Sequence, residues 1–235
     1  MNLRLYKKVL SILILLLAFP GLSAMGESSR GKHVIVIDAA HGGTDKGVKL
    51  SRNLYEKDVT LAIAKGLRGD LNKVRNLKVY LTRSTDKNVS TPERVRAVTK
   101  LKADLFISLN INAGFGKDSS GYEVYFPGFK RMSSKKGGSN GIVSDMVRSR
   151  YLNESVRFAQ IVMKNIETVF PRQGRGLRNA PIPILDGLTI PAVVIELGFA
   201  TNVKDRNKLK SEKIQESIAK ALSKSIKEYF STSGA

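Results

Sequence analysis

Three segments of the chain carry side chains whose types could do hydrolytic chemistry. The apolar run 34–37 ends in Asp38-Ala39-Ala40-His41-Gly42-Gly43, and Glu56 follows fifteen residues after His41. Much further on, Val193-Val194-Ile195-Glu196-Leu197-Gly198-Phe199 sets a second carboxylate inside another apolar run. A histidine and a carboxylate are zinc ligands, and a catalytic zinc keeps a position open for water. A nearby carboxylate that is not a ligand can take that water's proton. His41, Glu56 and Glu196 are therefore candidates for metal-assisted hydrolysis. A fourth segment, Leu105-Phe106-Ile107-Ser108-Leu109-Asn110-Ile111-Asn112-Ala113, offers a carboxamide at a comparable strand end.

Each residue also has a plainer role. His41 could hydrogen-bond within its glycine-rich turn, and Glu56 could simply favour a helix N-terminus. Asn110 and Asn112 could satisfy loop backbone. Glu196 is the hardest to read as structural, because a carboxylate among Val, Ile and Leu is costly unless paired or coordinated. His33 precedes the strand that His41 follows, which separates the two by roughly 17 Å and makes His33 a surface residue. Other catalytic designs lack their residues. The chain has no cysteine for a thiol nucleophile, no Gly-x-Ser-x-Gly elbow, and no Lys-Ser/Thr ending on its glycine-rich loop.

The elements that must position these groups alternate between strand and helix. Residues 34–38 read as a buried strand opening into a loop that continues to about Asn53. From Glu56, the apolar positions Val59, Ile63, Leu67, Leu71 and Val74 recur at helical spacing. Strands are expected over 77–82, 103–109 and 122–126, with a helix opening at Thr91-Pro92-Glu93. Residues 128–144, rich in Gly, Ser, Lys and Arg, read as a loop, and 145–169 as a helix that Pro171 to Gly176 terminates. Short strands over 180–185 and 192–196 and a closing helix over 213–230 complete the pattern. It predicts an α/β three-layer sandwich with a mostly parallel or mixed central sheet flanked by helices. In such sheets, sites form where loops leave the carboxyl ends of strands, as His41, Asn110 and Glu196 do.

Residues 1–24 combine Arg4, Lys7 and Lys8 with a short apolar run and a small-residue ending, the pattern of a secretory signal peptide. That run is too short to span a bilayer, so no stable membrane anchor is expected after cleavage. The remainder, 25–235, is expected to form one domain in the periplasm or cell envelope, or to be secreted. Without cysteine, its stability must come from a hydrophobic core rather than disulfides. The formal charge of +20 falls to about +17 without the three leader cations, and favours anionic partners such as wall polymers. Nucleic acid is not expected, given export and basic residues scattered with little aromatic interleaving.

Taken together, these blocks resemble the zinc-dependent N-acetylmuramoyl-L-alanine amidases of bacterial peptidoglycan. The resemblance runs through Asp38-Ala39-Ala40-His41-Gly42-Gly43, Glu56-Lys57-Asp58-Val59, Leu81-Thr82-Arg83 with Asp86, Arg94, the segment 103–108, Gly121-Tyr122-Glu123-Val124-Tyr125, and the segment 191–199 with Asn202. It implies a zinc ion held by His41, Glu56 and a second histidine, with Glu196 as general base. The substrate it implies is the amide joining the lactyl group of N-acetylmuramic acid to the L-alanine of the stem peptide. Two positions depart from the family pattern. Asn110 stands where the second histidine ligand is expected, and Ala39-Ala40 replace Pro-Gly before His41. An amide oxygen is a poorer zinc donor than imidazole. Asn110 can act as a weak ligand, Glu196 can take the third position, or the site can belong to a catalytically silent peptidoglycan-binding protein. The segment around 128–144 lies where some relatives carry a helix that covers the zinc until a protein activator removes it.

Overall fold

A computed structural model describes residues 32–114, 116–128 and 139–232, with the side chains of 139–144 excepted. The leader expected over 1–24 and most of the segment around 128–144 lie outside the described residues. The strands are β1 (His33–Ala39), β2 (Lys49–Ser51), β3 (Leu54–Tyr55), β4 (Leu77–Leu81), β5 (Leu105–Asn112), β6 (Tyr122–Pro127), β7 (Gly174–Ala180) and β8 (Ala192–Phe199). The helices are α1 (Glu56–Leu71), α2 (Thr91–Lys100), α3 (Ser139–Ile166), α4 (Val203–Leu209) and α5 (Glu212–Thr232). The main sheet runs in the order β4-β1-β5-β8-β6-β7, while β2 and β3 form a small hairpin of their own. From β4 to β8 the pairings are parallel; β6 runs antiparallel to β8 and parallel to β7. The expected mixed α/β sandwich is the observed fold.

The apolar runs are continuous because both sheet faces are covered. Alternate residues Ile35, Ile37, Leu105, Ile107, Leu109, Val193 and Ile195 share a core with Val59, Ile63 and Leu67 of α1, Phe158 and Val162 of α3, and Leu222 and Ile226 of α5. On the other face, Val36, Phe106, Ala192 and Val194 pack with Val98 of α2 and Leu185 of a 3-10 turn at Pro183–Leu185. This second cover extends over only part of the sheet. Beyond it, at the carboxyl ends of β1, β5 and β8, the same face turns polar with Asp38, Ser108, Asn110 and Glu196.

Four local expectations need correction. Residues 139–144 are helical rather than loop, since α3 begins at Ser139. Once a helix is nucleated, each further residue adds a hydrogen bond at little cost, so weakly periodic sequence is drawn in. The strand expected over 180–185 is instead the 3-10 turn, where Pro181 and Pro183 withhold the amide donors a ladder needs. The strand lies earlier, as β7, in a glycine- and arginine-rich segment without apolar alternation. Finally, β5 runs through Asn112, so Asn110 sits within the strand and not in a loop after it.

Candidate active site

The turn after β1 is built by two buried arginines. Arg94 donates to the carbonyls of Ala39 and His41, each at 2.8 Å, and pairs with the Asp38 carboxylate. Arg83, 1% exposed, donates to the carbonyls of Ala39, Ala40 and Lys57. Asp38 is completed by Thr82 Oγ1 at 2.6 Å and Ser108 Oγ at 2.8 Å. These contacts satisfy carbonyls that the sharp turn takes out of the sheet ladder. They also hold His41 at φ +60°, a left-handed conformation that a side chain adopts only when its surroundings over-determine it.

His41 Nδ1 donates to Asp45 Oδ2 at 2.8 Å, and Nε2 faces Glu56 Oε2 at 3.1 Å. Glu56 is 2% exposed at the first turn of α1. Its Oε1 accepts from the Ile111 amide at 2.8 Å and its Oε2 from the Val48 amide at 3.1 Å. Because β1 ends at Ala39, it leaves the far end of β5 without a ladder partner on that side, and Glu56 takes up the freed Ile111 N–H. Helix α1 and strand β5 are thereby pinned at the residue after Asn110.

Asn110 and Glu196 are register partners on β5 and β8, and Glu196 is in turn the partner of Glu123 on β6. The three side chains therefore share one face in a row across the sheet. Asn110 Nδ2 donates to Ser108 Oγ at 3.0 Å, whereas Asn112 Oδ1 accepts from the Gly114 amide as a loop-capping residue would. Glu196 Oε2 is shielded from solvent and has no hydrogen-bond partner among the described residues. Burial pushes the Glu196 carboxyl up to about 8, and the nearby carboxylates of Glu56 and Glu123 add to the shift. His33 stacks half-buried on Phe230 at 4.4 Å, tying β1 to α5 rather than lying free on the surface.

Among the described residues, no group of three or more His, Cys, Asp or Glu side chains is placed to share a metal ion. The pair formed by His41 and Glu56 nevertheless fits one. A carboxylate on Nδ1 is the usual support for a metal-binding histidine, fixing the ring so that Nε2 points at the metal. Asp45 supplies it. Hydrogen bonding to Glu56 raises the His41 pKa to about 9 against the opposing effect of burial. A proton thus holds together two donors that a cation would otherwise join. Gly47, at φ +64°, keeps this place clear: a Cβ there would lie 2.6 Å from both Glu56 Oε2 and His41 Cδ2.

Of the residues singled out in the sequence, the structure brings His41 to Glu56 and sets Asn110 beside Glu196, whereas Asp45 and Gly47, which also line this place, were not among them. Both lie in the loop after His41, and the i, i+4 spacing of His41 and Asp45 with glycines around them was the available signal.

The site is carried on the carboxyl ends of parallel strands in an α/β sheet, the place where enzymes of this architecture keep their chemistry. The chain belongs to the N-acetylmuramoyl-L-alanine amidase family, whose sequence pattern matches residues 35–228. It is 28% identical over 228 residues to the N-acetylmuramoyl-L-alanine amidase AmiC of Escherichia coli O6:H1, an alignment covering 87% of this chain and 55% of that protein. The chain therefore spans about half the length of this relative. Among solved structures, an N-acetylmuramoyl-L-alanine amidase from Clostridium difficile 630 superposes with a TM-score of 0.72 at 28% identity, covering 87% of this chain and 100% of that one. The CwlD amidase of Clostridioides difficile, solved in complex with the GerS lipoprotein, gives a TM-score of 0.68 at 25% identity, with 86% and 100% covered.

Proposed function

We propose that this chain is an exported peptidoglycan amidase that hydrolyses the amide between N-acetylmuramic acid and the L-alanine of the stem peptide. The observation that carries the reading is the solvent-shielded, unpartnered Oε2 of Glu196 on the strand beside Asn110, across from the His41–Glu56 pair. His41 Nε2 and Glu56 Oε2 would hold a zinc ion, with the Asn110 carboxamide as a weak third donor. Zinc bound there would supply Lewis acidity to the scissile carbonyl and to the attacking water.

Glu196 has the properties of the general base. Its carboxyl, already raised to about 8, ionises more readily once a cation offsets the Glu56 charge, which brings it toward the working pH. Glu196 then takes the water's proton and delivers it to the leaving amide nitrogen. Oε2 has no competing donor to release first. Asp45 keeps the His41 ring oriented, and Arg94 and Arg83 keep the turn beneath it rigid. No described helix is long and apolar enough to cross a membrane. Export rests on the leader expected over 1–24, and the family resemblance leaves a place for a protein activator.

The test is incubation of the purified full chain with peptidoglycan sacculi and zinc, scored by mass spectrometry for free glycan strands and for peptides with a new N-terminal alanine. Glu196→Gln and Glu56→Ala should abolish both products. A second reading is supported by the tie of Asn110 to Ser108 and by the finding that, among the described residues, no three His, Cys, Asp or Glu side chains are placed to share a metal ion. In this reading the chain is a catalytically silent peptidoglycan-binding protein. Products that appear only in Asn110→His would select it.

A further inference from the structure

The register row through Asn110 and Glu196 continues to Glu123 on β6, where a register shift against β7 leaves Glu123 without a strand partner and the arginines of β7 reach it through their side chains. Glu123 is 3% exposed. The Tyr125 hydroxyl donates to its Oε2 at 2.8 Å, so Oε1 alone receives Arg175 Nε at 2.9 Å and Arg178 Nε at 3.0 Å. Arg175 is further braced against the Phe199 ring at 5.1 Å. Two guanidinium groups thus share one carboxylate, leaving the cluster with excess positive charge. Their side chains are 37% and 42% exposed, and among the described residues their terminal Nη groups have no hydrogen-bond partner. An arginine engaged only through Nε has its forked end free for a second anion.

Resting on the amidase reading, we propose that Arg175 and Arg178 form a subsite for a carboxylate of the stem peptide. The pair determines specificity and touches none of the reacting atoms. Distance supports the assignment. β7 lies two strands from β8, roughly 10 Å at the usual strand spacing, and an extended peptide advances about 3.5 Å per residue. A carboxylate two or three residues beyond the scissile amide would reach the guanidinium pair. Charge fixes the direction, because the acyl side of the amide is an uncharged lactyl sugar and the amine side is an acidic peptide. The glycan is then directed away from β7, toward the β1 end of the row.

The experiment is calorimetric binding of two synthetic ligands to the full chain carrying Glu196→Gln, which prevents turnover. One ligand is a muramyl tripeptide with its peptide carboxylates free, and the other is its twin with those carboxylates amidated. The free acid should bind about tenfold more tightly, the scale of one charge-assisted contact at a half-exposed site. Adding Arg178→Gln, or separately Arg175→Gln, should reduce the ratio below about threefold while binding of the amidated twin stays unchanged. A ratio near one with both arginines present, or a tenfold ratio that survives both substitutions, would overturn the subsite. Binding is read without catalysis, so the two proposals fail separately. A chain that cuts no peptidoglycan yet keeps an arginine-dependent ratio would sink the amidase reading alone.

Discussion

Replacing Asn110 by histidine changes the donor set at one position while leaving the rest of the site in place. Asn110 shares a sheet face with Glu196 and immediately precedes Ile111, whose amide binds Glu56 Oε1 at 2.8 Å. An imidazole there would stand beside two donors already 3.1 Å apart. What the substitution loses is the 3.0 Å bond from Nδ2 to Ser108 Oγ, and Ser108 keeps its bond to Asp38 Oδ2. No buried group is orphaned, so the metal-free protein should lose about 1 kcal/mol, or about 2–4 °C in Tm for a chain of this length. Removing a group that merely supports a ligand costs 10–100-fold in metal affinity. Adding a ligand should therefore raise zinc affinity at least about 100-fold, or about 2.7 kcal/mol. Calorimetry against a competing chelator gives the affinity, and melting curves with and without zinc give the linked stabilisation. Zinc affinity within threefold of the parent in a folded variant would refute the placement of position 110 at the metal.

Gly47→Ala should weaken zinc binding at least about tenfold and destabilise the fold by about 1–3 kcal/mol, because the added Cβ meets Glu56 Oε2 and His41 Cδ2 at 2.6 Å on a backbone held at φ +64°. Chelator competition and denaturant titration read the two effects. Glu196→Gln should reduce peptidoglycan hydrolysis at least about 100-fold while leaving Tm unchanged or higher at pH 8, since its Oε2 has no partner to lose. A parallel fall in Tm would contradict that account. Zinc affinity should rise about tenfold per pH unit until about pH 9, because the raised His41 pKa means a proton must leave before the metal binds. A flat profile from pH 6 to 8 would rule this out. In the metal-free protein the His41 contribution to stability is complete below its ordinary value of 6.5 and is lost as pH rises through about 9, which melting curves in EDTA should follow.

The core of this site was legible because its residues break local rules. Glu196 interrupts a run that otherwise fills both faces of a buried strand, and His41 follows the end of another, so ionisable side chains stand out against the apolar runs. Glu56 was legible through its helix, whose apolar spacing begins immediately after it. The arginine-rich strand β7 was hidden for the opposite reason. Its burial pattern is mostly exposed and its sequence, Gly-Arg-Gly-Leu-Arg-Asn-Ala, carries no alternation, so only pairing with β6 defines it as a strand. An edge strand of this kind is specified by its neighbour and by charge contacts to Glu123, neither of which lies within a local window.

That difference bears on where the chemistry and the specificity reside. Strands β1, β5 and β8 are central and parallel, covered on both faces up to the carboxyl ends that carry the site, so the side chains at those ends project from a core that tolerates little movement. Strand β7 is the exposed edge, joined to that core through β6 and through one buried carboxylate bearing two guanidinium groups. Glu123 links the two regions electrostatically as well as physically. Its charge helps raise the pKa of Glu196 on one side, while on the other the two arginines help hold its own carboxyl low against the effect of burial. An anion docking on Arg175 and Arg178 would compete for the positive charge that screens Glu123. Substrate bound at the edge would then make Glu196 a stronger base, coupling recognition on β7 to proton transfer on β8 through a single side chain. Comparing the pH dependence of kcat for free-acid and amidated substrates should show this directly, with the acidic limb displaced to higher pH for the free acid. Identical limbs would separate recognition from catalysis and leave Glu123 as a purely structural tie.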